Sequence, residues 1–207
     1  MSHDHDHDDD ATRRNALRAE ALESLLVERG LVEPTLIDAI VARYERDIGP
    51  LNGARVVARA WTDPAFRARL LADGSTAVRE LALPMGPEET PIVVVPNARD
   101  VRNVVVCTLC SCYPSSLLGL PPTWYKSPAY RSRVVREPRA VLCELGLDVP
   151  AGVEVRVWDS SAEVRYMVLP ERPAGTDGWS EERLATLVTR DALIRVAEAK
   201  RPDGADA

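Results

Sequence analysis

The amino-acid sequence predicts an α+β fold in which a helical N-terminal half is followed by a half of short strands and helices. Three observations carry this. Up to about residue 83, apolar residues recur at helical spacing between Gly and Pro stops. From Ile92 onward they gather into short β-branched runs. Between the two lies Pro84 to Pro91, rich in proline and glycine and read as a turn region. The expected division is a disordered Asp/His tail over residues 1–11, a helical arm over 12–83, an α/β domain over 84–200 and a flexible tail over 201–207.

In order, residues 12–30 read as an amphipathic helix with Leu17, Ala21, Leu22, Leu25 and Leu26 on one face and Gly30 as its stop. A second helix starts at Pro34, places Ile37, Ile40, Val41, Tyr44 and Ile48 at helical spacing, and ends at Gly49-Pro50. A third carries Val56, Val57, Ala60 and Trp61. Asp63-Pro64 then caps a fourth, with Phe66, Leu70 and Leu71 inward and Gly74 closing it. Ser75 or Thr76 caps a short fifth through Val78 and Leu81. Ile92–Val95 and Asn103–Val106 read as buried strands. Arg139 to Leu145 looks helical. Val153–Trp158 alternates cleanly and Arg165–Leu169 follows it, so the two are expected to form a hairpin-like pair. Thr176-Asp177-Gly178 is a turn, and Ser180 opens a last helix with Leu184, Leu187 and Val188 inward.

At 207 residues, 45% hydrophobic and 28% charged, the chain suits one globular domain with an arm and needs no disulfide staples. The acidic start lacks the apolar stretch of a signal peptide, and no apolar run approaches the ~18 residues of a spanning helix. A soluble cytoplasmic protein is expected. Most of the net charge of −6 sits in the first ten residues, which hold five aspartates and no Lys or Arg. The near-neutral remainder gives no electrostatic case for nucleic acid or an anionic membrane. The tail from Ser2 to Asp8 alternates His and Asp; it reads as a solubilising extension, and metal delivery is the function that would use it. The 26 basic residues include only two lysines, Lys126 and Lys200. Arg131, Arg133, Arg136 and Arg139 cluster, either as a solvated face or as desolvated ion pairs between subunits.

The chemistry concentrates at Cys107-Thr108-Leu109-Cys110-Ser111-Cys112, which holds three of the four cysteines. All three histidines (His3, His5, His7) lie in the tail, so a metal site in the folded part must be built from sulfur. Cys110 and Cys112 bracket the amide groups of Ser111 and Cys112. One ion could meet both sulfurs and both nitrogens in a plane, with Cys107 capping it and the opposite face open. Three other readings compete. Structural zinc needs a fourth ligand, and only Cys143 remains. Iron–sulfur ligation usually shows a Cys-x₂-Cys-x₂-Cys run, from which this spacing departs. A redox Cys-x-x-Cys opens a helix, against which the third cysteine and Pro114 argue.

The wider stretch from Val105 through Pro114, then Leu118-Gly119-Leu120-Pro121-Pro122 and Trp124-Tyr125-Lys126, resembles the alpha subunit of nitrile hydratases. The resemblance continues through Arg136–Arg139, Val168–Thr176 and Leu187–Asp191, and covers roughly residues 30 to 196. It implies an α-β-β-α layered domain behind the arm. It also implies one low-spin Co³⁺ per chain held by the sulfurs of Cys107, Cys110 and Cys112 and the amide nitrogens of Ser111 and Cys112. Thr108 and Tyr113 resemble the cobalt branch; the iron branch tends to carry Ser and Thr there. By resemblance Cys110 becomes a sulfinic acid, Cys112 a sulfenic acid, and Cys107 stays a thiolate. The implied reaction hydrates a nitrile to an amide, with Cys112 catalytic through its sulfenate oxygen, as nucleophile or as base for water. A beta subunit is implied as partner, its arginines holding the oxidised sulfurs, together with a metal-loading activator.

Three positions depart from the family pattern. Ser115-Ser116 stands where Trp-Pro is common, which would open and wet the pocket. Glu88 aligns with a pocket Gln and, with Ser115, is a candidate pocket residue; a carboxylate there disfavours an anionic substrate. Arg195 stands where Gly is usual. The alternatives are the gamma subunit of thiocyanate hydrolase, which shares the cysteine claw, and a non-catalytic structural metal module.

Overall fold

The computed structural model describes residues 3–43, 49–83, 90–194 and 196–202, and side chains within the first helix from residue 13. Glu88, Arg195, Tyr44, Ile48 and most of the Pro84–Pro91 turn region lie outside the described residues, as does the end of the C-terminal tail from residue 203. The chain divides into two compact units, residues 1–43 and 44–207.

The first unit holds helices α1 (His3–Glu28) and α2 (Pro34–Arg43). α1 begins at His3, within the stretch expected to be a disordered tail. Gly30 ends α1 as expected. At φ +66° it lets its own N–H reach the Val27 carbonyl at 2.9 Å and the Leu31 N–H reach that of Leu26 at 2.9 Å. Leu17, Leu22, Leu25, Leu31 and Leu36 of this unit are exposed.

The second unit begins with α3 (Gly49–Thr62), α4 (Pro64–Ala72) and α5 (Gly74–Glu80). Patterning groups these helices with the arm, but they pack into the compact body through Val56, Val57, Phe66, Leu70, Ala77 and Val78. Asp63 caps α4 as its sequence predicts, accepting from Phe66 N at 2.9 Å with Pro64 in the first turn. The α4–α5 junction differs from expectation. Asp73, not Ser75 or Thr76, caps α5 by accepting from Thr76 N at 3.0 Å, and Gly74 is the first residue of α5. Glycine is required there because a Cβ would lie 2.4 Å from the Ile92 carbonyl oxygen.

Four strands follow: β1 (Ile92–Pro96), β2 (Val101–Val106), β3 (Glu154–Asp159) and β4 (Arg165–Leu169). β1 pairs in parallel with β4, and β2 in parallel with β3, giving two two-stranded sheets. The expected hairpin between β3 and β4 is therefore replaced by a crossing from one sheet to the other. Alternation says which face of a strand is buried and nothing about its neighbour. The crossing starts at Ser160, whose N–H extends the β2–β3 ladder to the Val106 carbonyl at 2.7 Å. Its hydroxyl accepts from Tyr166 N at 3.2 Å in β4.

Between β2 and β3 lie α6 (Ser115–Leu118), α7 (Thr123–Lys126), α8 (Pro128–Arg133) and α9 (Pro138–Glu144); α10 (Glu181–Ala185) and α11 (Arg190–Ile194) end the chain. The last helix predicted from Ser180 is thus two short ones. α4, α5 and α11 pack on the β1–β4 sheet, the two sheets meet through β2 and β4, and α9 packs on β3. This is the expected α-β-β-α layering. Val94, Val95, Val104–Val106 and Met167–Leu169 fill the core between the layers. The arginine cluster is partly used internally. Arg133 grips Glu137 at 2.6 Å and Glu144 at 2.7 Å, and Arg139 donates to the carbonyls of Val149, Pro150 and Val153. No helix among the described residues is long and apolar enough to cross a membrane.

Candidate metal centre

β2 ends at Val106 and hands the chain directly to Cys107. Its parallel neighbour β3 ends at Asp159, the register partner of Val106. Parallel pairing brings both carboxyl ends to one edge, where open α/β sheets hold their ligands. Asp159 therefore reaches Thr108, accepting from its N–H at 2.9 Å and from its hydroxyl at 2.6 Å.

The other end of the loop is held by the α7–α8 segment. Tyr125 donates its hydroxyl to the Cys112 carbonyl at 3.0 Å, and Tyr130 donates to the Val105 carbonyl at 2.8 Å. Val106 uses its carbonyl toward β3, so the carbonyl of Val105 faces the free edge of β2 and needs a partner from outside the sheet. Burial pushes both phenols well above their ordinary range, so they remain neutral O–H donors. The rings pack edge-on against Trp124 and Tyr113 and tilted against each other, with centroids 5.0 to 6.1 Å apart.

Between these anchors the three sulfurs converge. Cys110 Sγ lies 3.4 Å from Cys107 Sγ and 3.2 Å from Cys112 Sγ, and all three lie within 4.8 Å of one another. The separations exceed the ~2.05 Å of a disulfide, and the cysteines are free. Sulfurs ~2.3 Å from one ion lie about 3.3 Å apart at right angles and about 3.8 Å apart at tetrahedral angles. The two adjacent separations match the right-angled set, which fits a square or octahedral ion better than tetrahedral zinc. Cys107 is fully buried, Cys112 half-buried and Cys110 exposed, so the site opens on one side.

Without a cation the sulfurs compete for charge. The neighbouring Cys112 and Cys107 thiols lower Cys110 to about 7, and Cys112 is raised to about 12 by burial and by the Cys110 sulfur. Arg165 opposes the rise at Cys112. The exposed Cys110 ionises first and its charge keeps Cys112 protonated. As ligands of a cation, the three sulfurs would be held as thiolates.

Ser111, between Cys110 and Cys112 in the chain, is half-buried. Ser115 opens α6, and its hydroxyl donates to the Tyr113 carbonyl at 3.4 Å. Glu88 is outside the described residues. Cavities of about 640, 580 and 480 Å³ lie elsewhere: at Arg102 and Glu198, at Leu81 and Glu182, and at Trp61 and Arg99. None of these three is lined by a cysteine of the loop.

The model of the nitrile hydratase alpha chain matches residues 13–197 of this sequence. The chain belongs to the nitrile hydratase alpha-chain family. It is 54% identical over 194 residues to the cobalt-containing nitrile hydratase subunit alpha of Pseudonocardia thermophila, covering 93% of this chain and 95% of that one. The thiocyanate hydrolase subunit gamma of Thiobacillus thioparus is 44% identical over 190 residues, covering 87% and 78%. Among solved structures, a double mutant of the Fe-type nitrile hydratase from Comamonas testosteroni Ni1 superposes with a TM-score of 0.83 at 43% identity, covering 94% and 95%. The chain is accordingly a metal-binding subunit of a multi-subunit enzyme, with Cys107, Cys110 and Cys112 as its sulfur cluster.

The roles of two residues that grip the loop, Asp159 and Tyr125, and of one that anchors the strand before it, Tyr130, escaped the sequence reading. The β3 alternation runs up to Asp159, but only parallel pairing with β2 places it at Thr108. Tyr125 was visible as part of the Trp124-Tyr125-Lys126 resemblance, without a role.

Proposed function

We infer that this chain is the metal-carrying alpha subunit of a cobalt-type nitrile hydratase, hydrating nitriles to amides. The observation that carries the reading is the convergence of three sulfurs within 4.8 Å of one another, with Cys110 at right-angle spacing from each of the other two, at the carboxyl ends of two parallel strands. Cys107, Cys110 and Cys112 hold the metal through sulfur, and Ser111 and Cys112 through their amide nitrogens. Thr108 and Tyr113, and the cobalt in the name of the 54% identical relative, favour cobalt over iron. When bound, the metal supplies Lewis-acid polarisation of the nitrile.

The chain's own residues do the rest. Cys107, fully buried, is shielded from oxidation and stays a thiolate. Cys110, exposed, and Cys112, half-buried, are open to an oxygen-donating oxidant such as dioxygen or peroxide, which would add two oxygen atoms at Cys110 to give the sulfinic acid and one at Cys112 to give the sulfenic acid. The Cys112 sulfenate oxygen serves as nucleophile toward the nitrile carbon or holds the proton of the attacking water. No histidine lies in residues 44–207, so an imidazole base is not available from the compact unit. Ser115 lines the approach, and Ser115-Ser116 in place of an aromatic wall widens it; Glu88, in the position of a pocket Gln, lies outside the described residues.

A beta subunit completes the pocket and a metal-loading activator fills the site. Leu109, 86% exposed at the tip of the claw, and the uncovered leucines of α1 and α2 are the apolar surface such partners would cover. The test is intact mass and metal analysis of the chain purified with its partner, with nitriles and thiocyanate assayed side by side. One cobalt per chain, two to three added oxygen atoms on the peptide spanning 107–112 and turnover of nitriles are expected. Thiocyanate turnover alone would move the assignment to the thiocyanate hydrolase branch. Zinc with unmodified thiols would leave a structural site.

A further inference from the structure

The segment from Cys107 to Tyr113 contains no helix or strand, yet its three sulfurs must be held to fractions of an ångström. Two side chains from elsewhere in the chain grip it: Asp159 at Thr108 and Tyr125 at Cys112. The second grip falls on the residue whose sulfur and amide nitrogen both belong to the site. Tyr125 donates to the carbonyl of Cys112 at 3.0 Å, which fixes the peptide plane between Cys112 and Tyr113. With that plane fixed, rotation about the Cα–C bond is the one backbone freedom left between it and the Cα–Cβ bond of Cys112, whose sulfur lies 3.2 Å from Cys110 Sγ.

The hydroxyl can act as a fixed point because its ring cannot move. Tyr125 is fully buried, with ring centroids of Tyr113 at 5.1 Å, Tyr130 at 5.8 Å and Trp124 at 6.1 Å. Packing alone would be served equally by phenylalanine, so the hydroxyl needs a separate reason to be there. Its bond to Cys112 supplies one.

We propose that Tyr125 is a positioning residue of the metal claw: its buried hydroxyl, acting through the Cys112 carbonyl, sets the orientation in which the Cys112 sulfur and amide nitrogen meet the metal. The inference rests on the metal-claw reading above and adds to it a residue outside the cysteine run. It makes Tyr125 a determinant of the electronic state of the site and of the oxidation of Cys112, without contact to substrate.

The test is Tyr125→Phe in the complete enzyme with its partner subunit, compared with Tyr130→Phe. Both changes delete a buried hydroxyl bonded to a backbone carbonyl within one aromatic group. Only the first touches the claw. Three quantities are read: the sulfur-to-metal charge-transfer absorption, the oxygen atoms on the peptide spanning 107–112 by mass, and kcat and KM. For Tyr125→Phe the band shifts, the oxygen count on Cys112 falls, and kcat drops about tenfold with KM changed less than about twofold, as for a displaced reacting group. For Tyr130→Phe the band and oxygen count match the native enzyme. A 3-fluorotyrosine at position 125 keeps the ring and makes the O–H a stronger donor. Its band also shifts, so the test survives a Phe variant that fails to assemble. A native band and oxygen count in both position-125 variants overturns the proposal, as does an equal shift in Tyr130→Phe. Zinc and unmodified thiols in the native enzyme is a different result, and overturns the function from which the proposal starts.

Discussion

Removing the Asp159 carboxylate is the sharpest probe of how the sheet holds the claw. Asp159→Ala deletes two hydrogen bonds, from Thr108 N at 2.9 Å and from its hydroxyl at 2.6 Å. A bond to a charged acceptor is worth about 1.5–3 kcal/mol when shielded, and less at an exposed residue such as Asp159. Together the two should contribute about 1–2 kcal/mol to the ordering of Thr108 and hence of Cys107. A factor of ten per 1.4 kcal/mol converts this to a roughly 5- to 30-fold loss of metal affinity. That lies within the span typical of residues orienting metal ligands. Asp159→Asn keeps an acceptor for the Thr108 N–H and should lose a smaller part of that free energy than Asp159→Ala. The assay is competition between a chelator and the reduced, metal-free chain for Co²⁺, with thermal unfolding as control. The melting point should fall by only a few degrees, because the bonds are local to the loop. Native affinity in Asp159→Ala would refute the argument, and so would an affinity loss fully matched by global unfolding.

Further outcomes follow from other parts of the structure. Gly74→Ala should destabilise by about 1–3 kcal/mol by overpacking, since the new methyl meets a backbone oxygen at 2.4 Å that a side-chain rotation cannot relieve. Gly53→Ala sets a helix-propensity gain of about 1 kcal/mol against contacts at 2.6 Å to Leu193 Cδ1 and 3.1 Å to the Leu117 carbonyl oxygen. The clash should win, and denaturant titration would show both losses. In the metal-free reduced chain, alkylation of Cys110 should rise through a midpoint near pH 7 while Cys112 stays unreactive up to much higher pH. Peptide mass spectrometry against pH reads both. The helix-cap carboxylates of Asp63 and Asp73 are held below their usual range mainly by the backbone N–H groups of Phe66 and Thr76. Their stabilisation is complete above the unfolded pKa near 4 and is lost as pH falls through the lower folded value. Melting points should therefore drop below about pH 4, and less steeply in Asp63→Asn.

What could be read from the sequence is what depends on neighbours in the chain. The claw was legible because three sulfurs and two amides within six residues can meet one ion whatever the rest of the fold does. The Asp63-Pro64 cap and the Gly30 stop were legible for the same reason, since each closes hydrogen bonds within a few residues. Where two local signals compete, as at Asp73 and Ser75, the pattern picked the wrong cap, because the close approach of Ile92 to Gly74 comes from a distant strand.

Strand partnership belonged to the tertiary structure alone. The alternation of Glu154–Asp159 assigns a face, and a hairpin to β4 satisfies it as well as a parallel pairing with β2 does. Packing two sheets face to face selected the parallel pairing. Through it Asp159 reached Thr108 across 51 residues of sequence. Tyr125 and Tyr130 met Cys112 and Val105 by the same route, because the aromatic group of α7 and α8 had to be buried against the free edge of β2. The residues that could hold a metal were thus set by local chain chemistry. The residues that hold them in place were set by burial and by backbone groups that needed a partner.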